Sequence, residues 1–187
     1  MSDVEVKFGS DIESDDVYFG GCIVDDGSPQ YHCNTCQANF DVATTNIYLD
    51  IDGVILANNL NPANHAAEFL QYVLTNYPDS TYWLTTHCQG DANIPIQHIG
   101  HLFNAETVEL MKKIKPTSWD TAKTRAIDFS KPFVWFDDDL FYEEKQTLIA
   151  NEALDNWIEV DLSKNPNKLA DFITSFPLPS NVKHSSD

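Results

Sequence analysis

Asn46-Ile47-Tyr48-Leu49-Asp50-Ile51-Asp52-Gly53-Val54 is the stretch whose reading decides the fold. The apolar run Ile47, Tyr48, Leu49 breaks off abruptly at Asp50, Ile51, Asp52 and Gly53. A short apolar run closed by a glycine reads as a buried strand whose backbone must turn out of its sheet. If the chain stays extended through Asp52, alternation puts the Asp50 and Asp52 side chains on one side. Two carboxylates so placed repel each other unless a cation or a proton lies between them. A strand that merely runs into an Asp-Gly turn is the competing reading.

Outward from this stretch, strand-like and helix-like segments alternate. Asn61-Pro62 marks a possible helix start, and Phe69, Leu70, Val73 and Leu74 then recur at helical spacing until Pro78-Asp79-Ser80 stops them. Tyr82-Trp83-Leu84 is a second strand, ending in Thr85-Thr86-His87-Cys88. A loop and one helix over residues 106–114 follow, and Pro116 breaks that helix. Ser118 or Asp120 is then expected to cap a helix that carries Lys123. Residues 132–136 read as a strand running into Asp137-Asp138-Asp139, residues 143–154 as a helix, and residues 157–160 as a last strand. Leu169, Phe172, Ile173 and Phe176 mark the inner face of a closing helix.

This alternation predicts a three-layer, Rossmann-like α/β domain, a parallel sheet with helices on both faces. In such a sheet the carboxyl ends of the strands share one edge, and ligands bind in the crevice there. Asp50 and Asp52, Thr85 or Thr86, and Asp137 to Asp139 should therefore converge, with Lys123 nearby. A carboxylate attacks phosphorus only when the phosphoryl charge is neutralised. Magnesium does this with one or two carboxylates and oxygen donors, a role open to Asp137 and Asp138. A lysine adds a point charge, a threonine hydroxyl binds a phosphate oxygen, and a second carboxylate can protonate the leaving group and later activate water.

The Asp50-Ile51-Asp52-Gly53-Val54 segment after an apolar strand resembles the first motif of the haloacid dehalogenase superfamily of phosphohydrolases. Thr85, Lys123 and Asp137-Asp138 continue the resemblance in order, over residues 46–176. The segment around Trp83-Leu84-Thr85-Thr86 is similar to bacterial sequences in which an Asp-Ala-Asn helix start follows the second motif, here Asp91-Ala92-Asn93. The resemblance implies magnesium-dependent hydrolysis of a phosphomonoester through an aspartyl-phosphate. It makes Asp50 the nucleophile and Asp52 the general acid/base, whose backbone carbonyl also faces the metal. Thr85 becomes the phosphate-binding hydroxyl, Lys123 the charge-balancing lysine, and Asp137 with Asp138 the metal carboxylates. Thr86 and Asp139 remain as alternative registers.

Residues 51–84 and 86–122 are intervals of 34 and 37 residues, too short for a cap domain once connecting helices are subtracted. An uncapped site is expected, with any lid borrowed from a second copy, a protein partner or an extension. A binding or regulatory protein of this fold without turnover is the alternative, and the second carboxylate, Asp52, argues against it. A protein-interaction module at the N-terminus is a further alternative.

Residues 1–42 read as an acidic segment plus a ribbon-like β-hairpin ahead of a phosphohydrolase domain at 43–187. Two β-like runs between residues 17 and 41 flank Asp25-Asp26-Gly27-Ser28-Pro29. Cys33 and Cys36 have the spacing of half a zinc knuckle, and the segment resembles the second half of small bacterial zinc-ribbon domains. Such ribbons open with another Cys-x-x-Cys pair, which is missing upstream of Cys22. Cys22, Cys33 and Cys36 are three ligands where four are needed, with Cys88 the only other thiol. A hairpin with free thiols is therefore expected in preference to a Zn2+ site.

The net charge of −18 repels polyanions and argues against nucleic acid as a partner. No run of 18 apolar residues is present and the first residues are acidic, so a cytoplasmic protein without a membrane partner is expected.

Overall fold

The computed structural model describes residues 45–57 and 61–175, preceded by the backbone of three short strands. These are β1 (Val17–Phe19), β2 (Tyr31–Cys33) and β3 (Asn39–Phe40). They form an antiparallel sheet in the order β1-β2-β3, with Val17 opposite Cys33 and Tyr31 opposite Phe40. The chain divides into two compact units, Met1–Ala43 and Thr44–Asp187. The zinc question at Cys22, Cys33 and Cys36 rests on side chains outside the described residues, as do the ends of the chain.

In the second unit the decisive run forms β4 (Asn46–Leu49), buried at all four positions. A hairpin follows, β5 (Leu56–Ala57) against β6 (Asn61–Pro62). Asn61-Pro62 therefore continues a strand pair, and the helix expected there begins only at Ala66. Proline is tolerated in β6 because this two-stranded ribbon needs few ladder bonds from it. Helix α1 (Ala66–Asn76) buries Ala66, Phe69, Leu70, Val73 and Leu74, one stripe at three- and four-residue spacing. It stops before Pro78, whose ring disfavours helical backbone at Tyr77.

Strand β7 (Thr81–Trp83) comes next, then α2 (Asn93–Ile99) and α3 (Ala105–Met111). Sequence periodicity predicts one helix in this interval, and the structure has two, α2 being the addition. Asp91 accepts a 2.8 Å hydrogen bond from the Asn93 amide at its start, and Pro95 sits in the first turn, where a missing N–H costs little. Lys123 lies on a 3-10 turn (Lys123–Ala126) rather than on the expected helix. Strand β8 (Phe133–Asp137), α4 (Tyr142–Ala150), β9 (Trp157–Glu159) and α5 (Lys168–Ser175) complete the unit.

The four long-range strands are all parallel, in the order β7-β4-β8-β9. Ile47, Leu49 and Phe136 pack against Phe69 and Val73 of α1 and Leu169 and Phe172 of α5. The Phe69, Phe136 and Phe172 rings meet edge on, with centroids 5.2 and 5.0 Å apart. The alternate side chains Tyr48, Phe133 and Trp135 belong to a second cluster with Leu148 of α4. A sheet buried on both faces needs two helical layers, and each fully buried large apolar side chain adds about 1.5–3 kcal/mol. The architecture is thus α/β, with a parallel sheet between helices, compatible with a Rossmann-like fold. Among the described residues no helix is long and apolar enough to cross a membrane.

Candidate functional site

Chain order and strand order together locate the crevice. From β4 the chain crosses through α1 to β7 on one side, and from β8 through α4 to β9 on the other. β4 and β8 are neighbours whose connections diverge, so a gap opens at their carboxyl ends. Leu49 is level with Phe136, and the Asp50 amide donates to the Phe136 carbonyl at 3.1 Å. The next residues, Asp50 and Asp137, therefore stand side by side at the switch point. Asp137 is the last residue of β8, one position later than the strand end read from sequence.

Both carboxylates are buried, and Lys123 reaches between them. Its Nζ lies 3.1 Å from Asp50 Oδ2 and 2.6 Å from Asp137 Oδ2. The Lys123 turn is held from behind by Glu144 of α4, itself 3% exposed. Glu144 accepts from the Lys123 amide at 2.8 Å and from the Phe141 amide at 3.3 Å. Asp137 Oδ2 also accepts from the Trp135 indole at 2.9 Å, and its Oδ1 from the Asp139 amide at 3.3 Å. Thr85 is 1% exposed; its hydroxyl lies near enough to Asp50 to favour the ionised carboxylate, and its oxygen accepts from the His87 amide at 3.4 Å. Thr86 points into solvent.

Asp138 is exposed at the crevice mouth and lies against Gly53. Gly53 has φ +77°, and a Cβ there would overlap the Asp138 carboxylate. Glycine is thus required twice over, for its left-handed backbone and for the close approach.

Burial raises Asp50 above the ordinary carboxylate range, against the pull of Lys123 and the Ile51 amide. Asp137 is pushed up to about 7 by burial and then by the Asp50 charge, with Lys123 opposing. Asp138, exposed as a residue, is raised by partial desolvation of its carboxylate against the cluster and then by the Asp50 charge. Burial alone would lower Lys123, but Asp50 and Asp137 outweigh it and hold the ammonium charged. Two buried carboxylates against one ammonium leave one uncompensated negative charge, and Asp138 adds a second. The cluster is short of positive charge, which a proton or a cation supplies.

A cation fits. Asp50, Asp137 and Asp138 each offer an oxygen, all within 4.8 Å of one another. An all-carboxylate set suits a hard, oxygen-loving divalent ion. Asp139 is outside this group, and its Oδ1 accepts from the Leu140 amide at 2.8 Å.

The extended backbone through Asp52, on which Asp50 and Asp52 would share one side, is not formed. The strand ends at Leu49, and the chain bends at Ile51 before Asp52 forms an isolated bridge with Leu56. Alternation stops with the strand, so the Asp52 carboxylate joins a different set of neighbours. Its Oδ2 lies 2.8 Å from His87 Nε2, and the His87 ring stacks on His98 with centroids 4.0 Å apart.

Of the sequence-derived candidates, Asp50, Thr85, Lys123, Asp137 and Asp138 come together and Asp52 flanks them. Glu144, Trp135 and His98 join these residues only through tertiary contacts. A glutamate in a helix's first turn, a tryptophan in a strand and a histidine on a short helix carry no local signal of their partners. Comparison with family models, with curated proteins and with solved structures finds no match for this chain.

Proposed function

We propose that the protein is an uncapped phosphomonoesterase of the haloacid dehalogenase type, dependent on magnesium, with Asp50 as the nucleophile. One observation carries the reading: a buried, charge-deficient Asp50–Lys123–Asp137 cluster at the topological switch point of a parallel sheet. A merely structural ion pair has no need of two carboxylates per ammonium at a place open to ligands.

Asp50, Asp137 and Asp138 would hold magnesium, which when bound neutralises charge on the phosphoryl oxygens. The protein's own groups do the rest. Asp50 attacks phosphorus, forming the aspartyl-phosphate while the leaving alkoxide departs. Lys123 keeps the nucleophile ionised in its buried setting and offsets charge on the phosphoryl group. The Thr85 hydroxyl, buried beside Asp50, hydrogen-bonds a phosphoryl oxygen. Asp52, more exposed than Asp50 and two positions along the chain, protonates the leaving oxygen and then takes a proton from the water that attacks phosphorus, which breaks the Asp50–phosphate bond and releases inorganic phosphate.

The experiment is a screen of phosphorylated metabolites, nucleotides and phosphopeptides with magnesium, followed by two variants assayed on an aryl and an alkyl phosphate. Asp50→Asn should fold and show no turnover. Asp52→Asn should lose about 10²–10⁴-fold on the alkyl ester and much less on the aryl ester, whose oxide leaves without a proton. Equal losses on both esters, or turnover by Asp50→Asn, would overturn the roles.

A further inference from the structure

The Asp52–His87–His98 cluster lies beside the carboxylate site and differs from it in chemistry. Each of the three residues offers a ligand atom, and these atoms all lie within 4.8 Å of one another. His87 Nε2 and Asp52 Oδ2 are 2.8 Å apart. Ligands about 2.0–2.1 Å from a tetrahedral ion are about 3.4 Å from each other, so an entering cation need only widen this contact by roughly half an ångström. His98 is exposed in the last turn of α2, and its ring is stacked on His87 with planes 19° apart. Imidazole nitrogens are common ligands of such ions.

We infer that Asp52, His87 and His98 bind a borderline first-row divalent cation of the zinc, cobalt or nickel class, and that this cation slows hydrolysis by occupying Asp52. Two imidazoles and one carboxylate favour such ions over magnesium, which prefers oxygen and gives up water reluctantly. Two adjoining sites then sort cations by hardness: three oxygens at Asp50, Asp137 and Asp138, and N2O at Asp52, His87 and His98. The binding half stands on geometry alone, and the inhibitory half rests on the proposed role of Asp52 as acid/base.

Cobalt(II) is the probe, titrated into the full chain with Cys22, Cys33 and Cys36 replaced by serine and magnesium in large excess. One cobalt per chain is expected, with visible d–d absorption. His87→Gln and His98→Gln should each weaken binding about tenfold or more, and Asp138→Asn should leave it unchanged. Unchanged affinity in His98→Gln, or loss of binding in Asp138→Asn, would overturn the site. Hydrolysis is then followed with cobalt added, each protein normalised to its own rate. The parent should be inhibited more on an alkyl than on an aryl phosphate, and His98→Gln should resist. Bound cobalt without inhibition would overturn the inhibitory half. Absence of turnover on every phosphomonoester would count against the hydrolase reading alone, since the absorption titration needs no activity.

Discussion

At the scale of single residues, Gly53 and Asp137 carry consequences that can be measured. Gly53→Ala would force a left-handed backbone on alanine, at about 1–2 kcal/mol, and would push the Asp138 carboxylate aside. A lower Tm and a magnesium affinity reduced about tenfold or more are expected, read by thermal melts and calorimetric titration. Asp137 makes a pH-dependent contribution. Its folded value of about 7 lies above the ordinary 3.8, so between these values the folded protein holds a proton that the unfolded chain has released. That contribution is fully present below about pH 4 and is lost as pH rises through 7. Roughly three units at about 1.4 kcal/mol each bound it at about 4 kcal/mol. With a chelator present, Asp137→Asn should gain stability relative to the parent between about pH 4 and pH 8. A gap that stays flat with pH would contradict the assignment, and magnesium should restore the parent at the alkaline end.

At the scale of elements, the site depends on how α4 meets the Lys123 turn. Lys123 sits on a single 3-10 turn, too short to hold its own position, and Glu144 ties its amide to the first turn of α4. Glu144→Ala would leave two backbone donors without their charged acceptor, costing about 2–3 kcal/mol. The neighbouring Glu143 is exposed, so Glu143→Ala is the control and should be near neutral. If the position of Lys123 follows from this tie, Glu144→Ala should also lower kcat, whereas Glu143→Ala should not. Equal Tm values for the two variants would show that the tie contributes nothing.

At the scale of the whole molecule, the charge of −18 would oppose the approach of the dianionic substrate proposed above. Raising monovalent salt from about 0.01 to about 0.15 M shortens the screening length from about 30 to about 8 Å. At fixed, saturating magnesium, kcat/KM for a phosphomonoester should then rise by roughly a few-fold, read from initial rates. A fall would show that local positive charge, not the overall field, governs encounter. The short connections leave space only for the β5–β6 hairpin and for α2 and α3 beside the site. The protein therefore has no large domain of its own, among the described residues, to close over a ligand.

The sequence by itself determined the strands of the parallel sheet, to within a residue or so at their ends, and the order of the polar residues that follow them. An apolar run closed by Asp50 or by Asp137, and the stripe Phe69, Leu70, Val73, Leu74, record burial and periodicity locally. They survive any rearrangement of neighbours. The parallel sheet between helices followed from that alternation, and with it the meeting of Asp50, Thr85 and Asp137. Tertiary structure alone decided which groups touch. It bent the chain at Ile51 and ended the strand before Asp52, shortened the Lys123 helix to one turn, and turned Asn61-Pro62 into half of a hairpin. It also set Glu144 behind Lys123 and His87 beside Asp52. Contacts of this kind join residues 21 and 35 positions apart, across elements whose mutual placement depends on strand order and core packing. Local periodicity reports which face of an element is buried, and only the packed sheet determines what lies against it.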